Sequence, residues 1–352
     1  MSPQPKIAIV AAFPPPPGGM PHQAAMLAEV LARDGADVVR IDTNPFGRRK
    51  PRPLRFLYVV SRLGALRGCD LALIFAGSYA SFFAFSAVPL LAARLFRVRT
   101  VLMYKGGMAA GFLERWHSLV RAAARTAAAV VVPGRFLQST FAAHGVDARV
   151  LPDIIDDGVF RRDGGAAGPR KPTLFIARNL EPIYGVDLAI SAFRVVREAL
   201  PEAELHIAGD GSCRKKLEAL ADAVAPGAVF FHGLLPPQEI ASYCRRATAA
   251  LDPARFDNYP NSVIEAMLCG TPVVAFAVGG LPYLVEDGVT GYLAPAYDLA
   301  AFAQRIIRIH TDPVQAAAVV ARASARVAEL YWPYEKPGYL ESILKAAGPV
   351  PA

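Results

Sequence analysis

Short apolar runs alternate with longer segments of helical period along the whole chain. KIAIVAAF (6–13) is followed by a helix-like stretch from Pro21 to Arg33, and ADVVRI (36–41) by another from Phe56 to Leu66. LALIF (71–75), TVLMY (100–104), AAVVVP (128–133) and ARVLP (148–152) continue the strand-like series. Such alternation predicts α/β layers around parallel sheets. The composition then changes to Gly, Pro and Ala between Asp163 and Pro172, which reads as a linker. Beyond it the rhythm restarts with TLFIA, a helix from Val186 to Leu200, ELHIAG, a helix after Cys213, VFFHG, AALDP and PVVAFA. Two tandem α/β domains follow, 1–165 and 166–330, with a last helix in 331–352. Two open parallel sheets bind ligands outside their carboxyl edges, so a substrate is expected in a cleft between them.

From Leu71 to Val98 the sequence is nearly all apolar, long enough to span a bilayer as one helix. Gly77 and Ser78 break it after LALIF, Pro89 interrupts the rest, and Arg94 and Arg97 mark its end. A buried strand, a loop and an amphipathic helix are expected instead. Residues 1–6 show no basic stretch leading into an apolar run, so no secretory signal is expected there. The four cysteines stand far apart without a C-x-x-C pair, which indicates neither a zinc site nor a disulfide framework and fits the cytoplasm. Over 352 residues the formal charge is +8, which favours an anionic partner.

Several chemistries lose support at once. No G-x-G-x-x-G follows the first strand, and Gly209-Asp-Gly211 has Arg214 where a third glycine belongs. No G-x-x-x-x-G-K-[ST], H-E-x-x-H or G-x-S-x-G is present, and no Asp-x-Asp cluster offers a metal site. Gly18 and Gly19 lie between the first strand and a helix beginning near Pro21, His22 and Gln23. Such a pair either lets backbone N–H groups approach a phosphate or sugar or simply makes a turn. In DNYPNSVIE, Asp257 and Glu265 are eight residues apart; with Asp257 in a loop and Glu265 on the next helix, both could bind hydroxyls at one crevice. His206 and His232 read as structural; His22 is kept as an acceptor-site candidate.

The segment Asp257–Glu265, followed by AMLCGTPVVA and VGGLP, resembles the donor-binding region of family-four glycosyltransferases, retaining enzymes of the GT-B fold. The resemblance extends through GGM in the first loop, VPGRFLQSTFAAHGVDARVLPDIID, ARNLEPIYGVDLAISAF, IAGDG and VEDGVTGYL, and so covers nearly the whole chain. It implies two Rossmann-like domains facing across a cleft, with the C-terminal helix packing back on the N-terminal domain. It also implies that Glu265 holds the ribose hydroxyls of a nucleoside diphosphate sugar and that Asp257 approaches the sugar. Asn261 and Ser262 would offer N–H groups to the diphosphate, and Gly279 and Gly280 would shape a neighbouring loop. The donor is a substrate; no cofactor and no metal are implied.

The sequence departs from the family where charge matters most. Asp257 stands in place of the usual Glu. Asn179 and Tyr184 occupy the positions of the Arg and Lys that neutralise the leaving diphosphate, and Tyr283 replaces a common Glu. Arg178, one residue displaced, and Lys105, in the MYKGG turn of the first domain, are the substitute cations, Lys105 by reaching across the cleft. The alternatives are an interdomain salt bridge for Arg178 and a solvated loop for Lys105.

Between Gly47 and Gly68, Arg48, Arg49, Lys50, Arg52, Arg55, Arg62 and Arg67 stand with no acid, interleaved with Phe56, Leu57 and Tyr58. The patch suits an anionic membrane surface carrying a lipid-linked acceptor, or is a solvated face; no nucleic-acid module accompanies it. The resulting expectation is a metal-independent hexosyltransferase, cytoplasmic and peripheral on the inner face of the membrane. It would move a sugar to a glycan or lipid-linked acceptor in cell-surface polysaccharide or glycolipid synthesis. The alternatives are a degenerate scaffold subunit and a sugar-nucleotide epimerase.

Overall fold

The computed structural model describes residues 4–15, 18–45, 52–162 and 171–348. The chain forms two compact units, one of Met1–Ile154 with the segment from Trp332 onward, the other of Ile155–Tyr331. The division falls before the glycine-rich stretch because Ile155 and Phe160 are buried in the core of the second unit. Residues 163–170 of that stretch lie outside the described residues.

In the first unit, β1 (Lys6–Ala11), α1 (Gly19–Arg33), β2 (Asp37–Asp42), α2 (Arg52–Arg62), β3 (Leu71–Ala76), α3 (Ala80–Phe82), α4 (Val88–Leu95), β4 (Arg99–Tyr104), α5 (Ala109–Ala124), β5 (Ala129–Val132), α6 (Arg135–Ala143) and β6 (Arg149–Val150) follow one another. The chain leaves at β7 (Ile154–Ile155). The sheet runs β2-β1-β3-β4-β5-β6 and its pairs are parallel. β3 is buried at every position, as an all-apolar run between two helical layers demands. The apolar 71–98 stretch is the expected strand, loop and helix, and no described helix is long and apolar enough to cross a membrane. Pro89 does not interrupt the helix; it stands in α4 directly after a π-helical turn at Phe83–Ala87, an irregularity of the kind that accommodates a proline within a helical run.

The second unit repeats the plan with β8 (Thr173–Ala177), α7 (Val186–Ala199), β9 (Glu204–Ala208), α8 (Arg214–Val224), β10 (Val229–Gly233), α9 (Pro237–Arg246), β11 (Ala249–Asp252), α10 (Asn261–Leu268), β12 (Val273–Phe276), α11 (Leu281–Leu284), β13 (Tyr292–Ala294), α12 (Leu299–Thr311) and α13 (Pro313–Val327). Its parallel sheet runs β10-β9-β8-β11-β12-β13. In both sheets the winding reverses beside the first strand, between β1 and β3 and between β8 and β11. The loops leaving those strands diverge there and open a crevice.

After β14 (Trp332–Pro333) the chain ends in α14 (Tyr339–Ala347), which packs on α1, β4 and β5 of the first unit, as expected. Tyr339 and Ile343 are buried there. Arg99 and Arg149 donate to the carbonyls of Lys345, Ala346, Ala347 and Gly348, satisfying the helix's last carbonyls with positive charge at its negative end. The helix starts at Tyr339 rather than Tyr331 because Pro333, Pro337 and Gly338 precede it.

Candidate functional site

The loops after β8 and β11 stand side by side at the switch point of the second sheet, and they carry the predicted donor-site residues. Arg178 directly follows β8, and its Nη2 lies 2.5 Å from Asp257 Oδ2 and 3.5 Å from Asp252 Oδ1. Its Nη1 is 3.4 Å from Ser262 Oγ in the first turn of α10, and its guanidinium stacks 4.6 Å above the Tyr184 ring. Burial alone would lower the Arg178 pKa, but Asp252 and then Asp257 outweigh it and hold the guanidinium firmly charged. Burial pushes the Asp252 carboxyl up despite Arg178, and Asp252 Oδ2 has no hydrogen-bond partner among the described residues.

α10 delivers the other carboxylate. Pro260 precedes Asn261, so the chain enters the helix without a competing N–H, and Glu265 stands one turn after Asn261. Burial pushes the Glu265 carboxyl up to about 7, against the downward pull of Arg178. A half-buried carboxyl in this state gains from hydroxyl donors that share its charge.

Glycines brace these loops by close backbone approach. A Cβ on Gly209 would stand 1.9 Å from the Arg178 carbonyl oxygen, and one on Gly280 1.9 Å from that of Asn258. The Gly280 N–H donates to the Asp257 carbonyl, so Gly279 and Gly280 support the loop carrying Asp257. The same contact explains IAGDG, since Leu180 and Asp210 are also joined through the backbone. Tyr283 in the following α11 is exposed.

The structure therefore brings Arg178, Tyr184, Asp257 and Ser262 together, with Asn261 beside Ser262 and Glu265 near Arg178. Arg178 is engaged by two carboxylates of its own unit, Asp252 and Asp257. Sequence reasoning missed Asp252, whose place as the last residue of β11 was the available signal.

In the first unit, Gly18 caps α1 in a conformation open to glycine (φ 146°) and Gly19 has free space around its Cα. The His22 N–H donates to the Gly18 carbonyl. One residue on, Gln23 is buried and bonds reciprocally to the Ile154 backbone, donating from Nε2 at 2.8 Å and accepting at Oε1 at 3.1 Å. Lys105 is not in a solvated loop: its ammonium is buried in an ion pair with Asp153. His206 and His232 share a 2.9 Å contact on β9 and β10, and burial lowers both pKa values. Arg48, Arg49 and Lys50 lie outside the described residues, and Arg52 begins α2.

Residues 170–312 match the family described as "Glycosyl transferases group 1". The chain carries a glycosyl transferases group 1 domain. That domain contains every residue of the β8–α10 cluster. The chain is 30% identical over 232 residues to the D-inositol 3-phosphate glycosyltransferase of Acidothermus cellulolyticus, covering 61% of this chain and 51% of that protein. It is 33% identical over 186 residues to the enzyme of that name from Frankia alni, covering 50% and 46%. The chain thus spans about half the length of these curated relatives. Sucrose-phosphate synthase from Thermosynechococcus elongatus superposes with a TM-score of 0.77 at 21% identity, over 98% of this chain and all of that one. HepE of Anabaena, in complex with UDP and glucose, gives 0.73 at 18% identity, over 99% of this chain and 100% of that one. The fold is GT-B.

Proposed function

We propose that the protein is a glycosyltransferase that moves a sugar from a nucleoside diphosphate donor to a glycan or lipid-linked acceptor, with retention at the anomeric carbon. The observation that carries this reading is the cluster of Arg178, Asp257, Ser262 and Glu265 at the switch point of a group 1 domain. In it, Glu265 accepts hydrogen bonds from the ribose hydroxyls, and the N-terminus of α10 at Asn261 and Ser262 faces the diphosphate. Asp257 serves the sugar. Breaking the anomeric bond builds negative charge on the diphosphate, and a preorganised guanidinium at Arg178 lowers that barrier. The neighbouring structure with UDP and glucose makes UDP-sugars the first donors to try. Gly18, Gly19 and His22 would serve the acceptor side, and the basic segment Arg48, Arg49, Lys50 and Arg52 would hold the protein at the inner membrane surface during polysaccharide or glycolipid synthesis.

A scaffold role is the second reading, favoured by one observation: Arg178 is already shared by two carboxylates, and Tyr184 supplies no positive charge. Isothermal calorimetry with UDP-glucose, GDP-mannose and ADP-glucose, followed by a product assay, separates the two. The enzyme reading expects binding of one donor, its loss in Glu265→Gln, and transfer or slow donor hydrolysis. Binding without turnover on any acceptor would favour the scaffold; equal affinity of Glu265→Gln would remove Glu265 from the site.

A further inference from the structure

Between Asp42 and Glu114 the sequence holds eleven lysines and arginines and a single acid, Asp70. Two helices from this stretch show solvent an apolar surface. α2 exposes Leu54 and Leu57 at 50% and 64%, and α4 exposes Leu91 and Leu95 at 61% and 78%. Each pair is spaced three or four residues apart and so forms one ridge. Both helices cover the same face of the first sheet, since Val59 of α2 and Leu90 and Ala93 of α4 share one buried cluster, while α1 and α14 belong to the cluster on the other face. The 3-10 turn Leu63–Leu66 after α2 packs against α4, placing the two helices next to each other.

Every charged residue of the two helices is an arginine. Arg62, Arg67, Arg94 and Arg97 are all exposed, and Arg67 stacks 4.6 Å over Phe96 at the end of α4. Arg97 ends that helix with φ +59°, a left-handed position that usually goes to glycine. A side chain there costs backbone energy, and this one adds a charge beside Leu95.

We propose that the α2–α4 face docks on an anionic lipid bilayer, with Leu91 and Leu95 inserted at the level of the acyl chains and Arg62, Arg67, Arg94 and Arg97 on the headgroup phosphates. Apolar side chains ringed by arginine match an interface that is negative outside and apolar beneath. A second copy of the chain fits poorly, because the face would meet its own positive charge. Nucleic acid offers nothing to four exposed leucines. The proposal deepens the membrane part of the proposed function and rests on it, but moves the anchor from the 48–52 segment to folded helices with an inserted component.

The test is co-sedimentation of the full chain with phosphatidylcholine vesicles with and without phosphatidylglycerol. The wild type should bind the anionic vesicles and not the neutral ones. Arg94→Gln with Arg97→Gln should weaken binding about fivefold per charge, and Leu91→Gln with Leu95→Gln should weaken it about tenfold or more while leaving thermal unfolding unchanged. Leu95→Trp, which preserves an apolar side chain, should shift its fluorescence to the blue on vesicles. Unchanged binding in both double variants, or unshifted Leu95→Trp emission, would overturn the docking face and leave the 48–52 segment as the anchor. Failure of the wild type to bind vesicles would overturn it as well. Calorimetry with UDP-glucose on the same preparation keeps that result separate from the transferase reading, which vesicle binding does not touch.

Discussion

Lys105 and Arg178 each directly follow a strand at the carboxyl edge of their unit's parallel sheet, and the two are treated in opposite ways. Lys105 meets a single carboxylate, Asp153, and both side chains are almost fully buried at 6% and 8% exposure. Arg178 meets two, Asp252 and Asp257, and Asp257 keeps 19% exposure. An ammonium buried against a buried carboxylate has little to offer a ligand. Both carboxylates reach the Arg178 Nη2, Asp252 from a buried position and Asp257 from a more accessible one, so in the proposed role Asp257 is the partner that a phosphate oxygen would replace while Asp252 keeps the guanidinium in place. This difference is what supports Arg178 over Lys105 in the proposed role of substitute for the family's missing Arg and Lys.

The sharpest way to break this contrast is to remove each cation. Lys105→Met leaves Asp153 buried without its partner and should destabilise the protein by about 3–5 kcal/mol. Adding Asp153→Leu should restore much of that, as urea unfolding would show. Arg178→Ala should lower turnover about 10²- to 10³-fold while donor affinity falls far less, since the leaving-group charge grows mainly in the transition state. If instead Lys105→Met folds normally and loses turnover while Arg178→Ala keeps it, the roles are reversed.

The same contrast marks what the sequence could disclose. Strand and helix rhythm is local, so the two sheets were legible, as was the spacing that puts Asp257 in the loop after β11 and Glu265 on the helix that follows. The partners of the cations were not, because Asp153 lies 48 residues from Lys105 and Asp252 lies 74 from Arg178. Such pairs arise only when parallel strands are brought to one edge: the end of AALDP signals that Asp252 lies at that edge, but not that Arg178 will meet it there. Gln23 is similar: its bonds to Ile154 span 131 residues.

A smaller effect tests the electrostatics of the accessible site through pH. In the folded protein burial sets Glu265 near 7, above its ordinary 4.5, so the folded state holds a proton that the unfolded state has released. Stability from this group is therefore fully present below about 4.5 and is lost as pH rises through 7. Glu265→Gln should flatten that leg and raise the midpoint of thermal unfolding at pH 8 relative to the wild type. In the proposed role of Glu265, binding of UDP-glucose would need the carboxylate and should run the other way, weakening about tenfold from pH 8 to pH 6 in the wild type and not in the variant. Parallel pH trends in binding and stability would contradict the assignment of Glu265 to the ribose.

The smallest expected effect concerns Tyr184, which stands where the family has a lysine. Its ring lies 4.6 Å beneath the Arg178 guanidinium, so its main contribution is to orient that cation by stacking. Burial raises the pKa of its phenol, which keeps it neutral, and a neutral hydroxyl adds at most a hydrogen bond of about 1 kcal/mol. Tyr184→Phe preserves the ring and should cost turnover no more than about fivefold, whereas Tyr184→Ala, which removes the platform, should approach the loss seen for Arg178→Ala. Tyr184→Lys sharpens the comparison further, for it puts back the family's charge but sets it against Arg178. If stacking is what matters, that variant should bind the donor more tightly through the diphosphate and still turn over more slowly, because the guanidinium has lost its support. A rise in turnover instead would show that charge alone limits the reaction and that the position of Arg178 needs no aromatic support.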